Sequence, residues 1–167
     1  LQGPRARRIL QPLVEADLDA LRFFSVTATT LAGKPGWISR TGYTGDLGYE
    51  LWMDPADACH VWDAVLAAGE DHGIQPAGLD AMDVTRIEAG FVLQGVDYIS
   101  AKSCITESLK STAEDAGLGW TVKLEREGWI GRDAALRERD RGGSAWQLVG
   151  LELSWPEIEA LYDRYKL

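Results

Sequence analysis

The run Ser39-Arg40-Thr41-Gly42-Tyr43-Thr44-Gly45-Asp46-Leu47-Gly48-Tyr49-Glu50-Leu51 sets three glycines around one carboxylate, between two segments of strand character. Glycines let a backbone approach another surface closely, and an ionised aspartate offers two acceptor oxygens side by side. One carboxylate can then take two parallel N–H donors. A flat heterocycle with adjacent N–H groups, such as the amino-pyrimidinone edge of a pterin, is the matching ligand chemistry. The plainer alternative is a tight hairpin with a turn aspartate. Glu50 lies four residues on and joins Asp46 only if both project into one pocket; as a residue on a strand face it needs no such role.

Other chemistries find little support. Cys59 and Cys104 are far apart and form no Cys-x-x-Cys, which points to free thiols in a reducing, cytoplasmic setting. His60 and His72 lie on or just after a predicted surface helix without a third residue at metal spacing. There is no Gly-x-Ser-x-Gly, no Walker loop and no Gly-x-Gly-x-x-Gly after a strand. A formal charge of −9 over 167 residues disfavours nucleic acid and anionic membrane surfaces as partners. No run of 18 apolar residues and no basic-then-apolar leader is visible.

The elements that must position Asp46 follow from periodicity. Pro4 suits the first turn of a short helix carrying Ile9, Leu10 and Leu13, which Pro12 should end. Phe24, Val26 and Ala28 alternate with Ser25, Thr27 and Thr29, the period of a half-buried strand. Gly33-Lys34-Pro35-Gly36 turns the chain into a return over Trp37–Thr41, and Tyr49–Met53 is the next strand. Asp54-Pro55 opens a helix over 55–69 on which Ala58, Val61, Trp62, Val65 and Leu66 recur at helical spacing. A second helix is expected over 78–89. Strands that meet as neighbours, with helices between and after them, give an α+β fold with an antiparallel sheet and packed helices. Beyond Gly90, Ala101–Ser108 reads as a short helix or loop, Leu118–Leu124 as a strand, Gly131–Glu138 as a helix and Leu148–Leu153 as a final strand. Pro156–Tyr165 puts Ile158, Leu161, Tyr162 and Tyr165 on one helical face.

The Arg40–Leu51 run, then Gly78-Leu79-Asp80-Ala81-Met82-Asp83-Val84-Thr85-Arg86-Ile87-Glu88-Ala89-Gly90, then Gly117-Leu118-Gly119-Trp120-Thr121-Val122 resemble the glycine cleavage T-protein (aminomethyltransferase) family. Leu1-Gln2-Gly3-Pro4-Arg5-Ala6 and Gly131-Arg132-Asp133-Ala134-Ala135-Leu136 fit the same pattern. The resemblance implies a T-protein-like folate-binding fold and transfer of a one-carbon unit to tetrahydrofolate from a methyl or aminomethyl donor, with a lipoyl carrier protein as partner in the glycine cleavage case. It also implies that residues 1–90 are the second part of a folate-binding domain, and that 91–167 are its remainder plus the start of a connection to a C-terminal barrel. With a non-methionine start inside a family motif, the chain reads as an internal fragment that lacks the N-terminal half and the barrel. The family's catalytic aspartate then lies upstream of Leu1, and the fragment alone is expected to be inactive.

On the same resemblance, Asp46 stands where the family has an acidic residue, usually glutamate, that binds the pterin ring. Trp120 matches a tryptophan beside the folate, where an indole covers an aromatic ring; alternatively it fills the core beneath the sheet. Met82 replaces an arginine that helps hold folate, and a thioether cannot donate as a guanidinium does. Arg86 matches a second arginine of the pattern; it reaches the ligand or, more plainly, pairs with Asp83 three residues back. Asp46 and Met82 shift weight toward a divergent member acting as an O- or S-demethylase or on methylated amines. A folate-binding regulatory or assembly module without transferase chemistry is the competing class, and a folate domain fused to a flavin dehydrogenase is a third.

Overall fold

The computed structural model describes residues 1–166. The chain divides into two units, Leu1–Val92 and Leu93–Leu167.

Unit 1 is built on a three-stranded antiparallel sheet, β1 (Val26–Leu31), β2 (Lys34–Ser39) and β3 (Glu50–Met53), in that spatial order. Ala32 and Gly33, both at positive φ, make the two-residue turn between β1 and β2, which matches the right-handed twist of the flanking strands. Ala28 faces Trp37 and Trp37 faces Trp52 across the register. The first helix is shorter than the spacing suggests, α1 (Ala6–Leu10), and Pro12 sits inside a following 3-10 turn, Gln11–Leu13. The helix expected over 55–69 opens with a 3-10 turn, Pro55–Asp57, capped by the Asp54 carboxylate on the Ala56 N–H (2.9 Å), and continues as α2 (Ala58–Gly69). The second expected helix is α3 (Leu79–Glu88).

The core joins Ala6 and Leu10 of α1, Leu31 and Ile38 of the hairpin, Val61 of α2, and Val14, Leu18, Leu21 and Tyr49 from connecting segments. One face assignment is reversed from what the alternation of β1 suggests. Val26 and Ala28 are exposed, while Thr27 and Thr29 turn inward. Two features account for this: Leu31 must be buried at the end of the same strand, and the Thr29 hydroxyl accepts from the Ala16 N–H (3.0 Å), so an inward threonine satisfies connecting backbone. Phe24, at φ 58, forms a bulge: its N–H donates to the Arg40 carbonyl while the Arg40 N–H donates to that of Ser25.

Unit 2 carries α4 (Arg132–Asp140) and α5 (Trp155–Tyr165), near the ranges predicted. The two strands predicted there are absent among the described residues. Within 118–124 a 3-10 turn, Gly119–Thr121, takes the backbone donors, with Thr121 N–H on the Leu118 carbonyl and Val122 N–H on that of Gly119. Residues 148–153 are irregular. Both segments have apolar residues at strand spacing but no ladder partner, and local turns win. Ala101–Ser108 is turn and loop leading into the 3-10 turn Glu107–Leu109.

Candidate functional site: a cleft beneath the Asp46 loop

A cleft of about 960 Å³ opens in unit 1 between the N-terminal segment, β3, α2 and α3. Its walls are mostly apolar, with Leu51 and Met53 from the inner face of β3, Val61, Trp62 and Val65 from α2, and Met82 from α3. Gln2, Thr44 and Asp46 supply polar atoms, and Arg5 contributes a cation whose guanidinium is anchored on the His72 carbonyl (3.0 Å). Volume and lining are those common in small-molecule sites, apolar walls with a few polar groups.

Asp46 and Met82 therefore line one cleft. Asp46 is exposed, and its Oδ1 accepts the Leu47 N–H (2.6 Å). Glu50 does not line the cleft with it; its Oε2 takes the hydroxyls of Thr41 (2.6 Å) and Ser39 (3.3 Å) on the strand face.

Arg86 lies inside the unit, 2% exposed, with Nε and Nη2 each 2.7 Å from the Asp83 carboxylate and Nη1 donating to the Phe91 carbonyl (3.2 Å). It does not line the cleft. Its bonds fix the turn after α3, and the Asp46 loop leans on that turn. The Tyr43 hydroxyl donates to the Val92 carbonyl (2.5 Å), the Tyr43 ring stacks on Phe91 at 5.6 Å, and a Cβ at Gly45 would lie 2.7 Å from Ala89 Cβ. Trp120 belongs to unit 2, where its indole is 75% exposed rather than filling a core.

Two of the loop glycines have their close neighbour within the protein itself. A Cβ at Gly42 or Gly48 would fall 2.1 or 2.0 Å from Gln2 Oε1, so these glycines make room for a side chain of the protein itself. Gln2 had no role assigned from sequence; the available signal was its place in the Leu-Gln-Gly-Pro segment together with two glycines whose requirement had no local explanation.

A family described as the GCVT N-terminal domain matches residues 1–126. The chain belongs to this family. Among curated proteins, an aminomethyltransferase of Halothermothrix orenii is 44% identical over 153 residues, covering 92% of this chain and 40% of that protein. One from Streptomyces avermitilis is 44% identical over 135 residues, covering 80% and 34%, and one from Caldanaerobacter subterraneus subsp. tengcongensis is 40% identical over 154 residues, covering 92% and 38%. The chain thus spans about two fifths of the length of these T-protein-family relatives.

Proposed function

We propose that the protein is a tetrahydrofolate-dependent one-carbon transferase of the aminomethyltransferase type, and that the cleft beneath the Asp46 loop receives the pterin ring. The observation that carries this reading is a carboxylate at the rim of an apolar cleft in a chain of the T-protein family. The lining fits the group: Met53, Trp62 and Met82 can cover a flat ring, and Asp46 can accept adjacent N–H donors from its edge. Tetrahydrofolate, when bound, supplies the nitrogen nucleophiles that take up the one-carbon unit. The residues of this chain orient the ring and exclude water from its faces, a contribution through positioning. Arg86 acts behind the site, holding the turn that braces the loop, while Trp120 is proposed as a ligand contact on the family pattern alone. A carbon donor, delivered on a lipoyl carrier protein in the glycine cleavage case, and a cytoplasmic setting with Cys59 and Cys104 as free thiols complete the proposal.

Met82 favours a second reading. Its thioether occupies the cleft wall where the family pattern has a guanidinium, which removes a cation and up to five donors from the ligand's surroundings. A methyl ether, thioether or methylated amine as donor suits that altered wall.

The test is calorimetric titration of the intact protein with tetrahydrofolate, wild type against Asp46→Ala. Loss of roughly tenfold or more in affinity is expected from removing a charged double acceptor. Equal affinity in the two proteins would remove Asp46 from the site, and absence of binding in both would remove folate.

A further inference from the structure

We propose that Gln2 is the positioning residue of the Asp46 loop: its carboxamide is a peg around which residues 42–48 close, so that ligand affinity at Asp46 depends on a side chain outside the loop. This rests on the reading of Asp46 as a ligand-binding carboxylate.

The backbone of Gly42 and Gly48 separates the two reasons for a glycine. Neither residue is at positive φ, so neither is required by backbone conformation. What fills the place of a side chain at each is the Gln2 carboxamide, whose Oε1 lies 2.1 Å and 2.0 Å from the two Cβ positions. Two glycines six positions apart in sequence thus close on one oxygen. The Thr44 hydroxyl, between them in sequence, donates to that same Oε1 (3.1 Å). The backbone repeats the arrangement: Gly3 N–H donates to the Leu47 carbonyl (2.8 Å), Tyr49 N–H to the Leu1 carbonyl (2.9 Å), and Gln2 and Gly48 form an antiparallel bridge. Asp46 itself is oriented by the Leu47 N–H, the residue whose carbonyl is held by Gly3. The backbone bonds hold the loop at Leu47 and Tyr49, and of these contacts the Gln2 carboxamide alone reaches its first half at Gly42 and Thr44, so loosening that side chain frees the loop on the near side of Asp46 without touching the carboxylate.

Two kinds of variant reach the device from opposite sides. Gln2→Ala removes the peg; Gly48→Ala places a methyl where Oε1 sits and must push the carboxamide, a movable side-chain end, out of its seat. Each should weaken tetrahydrofolate binding by roughly tenfold, and the double variant should lose no more than either alone, because both disable one contact. Gln2→Ala added to Asp46→Ala should cause no further loss, since Gln2 acts through that carboxylate. Amide hydrogen exchange of loop residues 42–48 should rise in Gln2→Ala and Gly48→Ala alike, while helix α2 keeps its protection. The proposal is overturned if Gln2→Ala binds as the wild type does, if its loss is the same with and without Asp46, or if the two single losses add. If Asp46→Ala leaves affinity unchanged, Asp46 is removed from the site and the folate reading of this loop fails with it, and loop exchange decides the peg: a rise in both variants supports it, and unchanged exchange in Gln2→Ala overturns it.

Discussion

At the scale of single residues, the core of unit 1 holds one polar group out of balance. Tyr49 is 1% exposed and its hydroxyl has no hydrogen-bond partner among the described residues. A phenol desolvated without compensation costs stability, so Tyr49→Phe should stabilise the protein by roughly 1 kcal/mol in urea unfolding at neutral pH. Burial pushes the Tyr49 hydroxyl above its ordinary pKa, against the pull of Arg40 and Arg7. Its folded pKa therefore lies above the unfolded one, so the contribution of the neutral phenol is complete below about pH 10 and is lost as pH rises toward the folded value. The advantage of Phe over Tyr should accordingly widen in alkaline urea melts; a variant less stable than the parent would show that the hydroxyl has a partner. Asp46 illustrates the opposite case, an exposed carboxylate that accepts from the N–H of the next residue.

At the scale of elements, unit 2 has short helices and relies on local polar devices. Thr112 and Asp115 bond reciprocally, Thr112 N–H to Asp115 Oδ2 (2.8 Å) and Asp115 N–H to the Thr112 hydroxyl (3.2 Å), as in a capping box. Ser144, 29 residues on, donates to the other carboxylate oxygen. Partial burial pushes the Asp115 carboxyl up, but the hydrogen bonds from Ser144, Thr112 and Trp146 outweigh it, and the net pKa lies below the ordinary value. The stability this group contributes is thus present above about pH 4 and lost as pH falls through its folded pKa. Asp115→Asn should remove that acid dependence and leave residues 112–117 less protected in hydrogen exchange at pH 6; an unchanged acid transition would deny Asp115 this role. The same unit shows where sequence reading stops. Helix α2 was legible because Asp54-Pro55 fixes its start and Val61 and Val65 mark its inner face. The strands read at 118–124 and 148–153 were not real because apolar alternation describes a side-chain pattern and does not supply a neighbour for the ladder. In β1 the alternation was right but the face was wrong, since Leu31 and the bond from Ala16 to Thr29 decide it. The Asp46 loop was found in sequence, whereas the reason for Gly42 and Gly48 was not: it lies in Gln2, some forty residues away in the chain.

At the scale of the whole molecule, apolar surface is abundant. Trp37 and Trp52 share the open face of the sheet, Ile105 and Ile130 are fully exposed, and Leu161, Tyr162 and Tyr165 line an open side of α5. The chain on its own should therefore self-associate, and a net charge of −9 should oppose this by repulsion. Raising salt screens that repulsion, so light scattering should report growing mass with ionic strength. Monodisperse monomer at high concentration and high salt would show these surfaces to be inert. The grip on the Asp46 loop has a consequence in time as well as in space. One jaw is the first three residues of the chain and the other is the turn at 89–92, so the two halves of the grip are synthesised at opposite ends of unit 1. During synthesis residues 42–48 are made before residues 89–92, so the loop can pack on that turn through Tyr43 and Gly45 only once the end of the unit has been added. The loop's full set of contacts is thus a mark of the unit's completion.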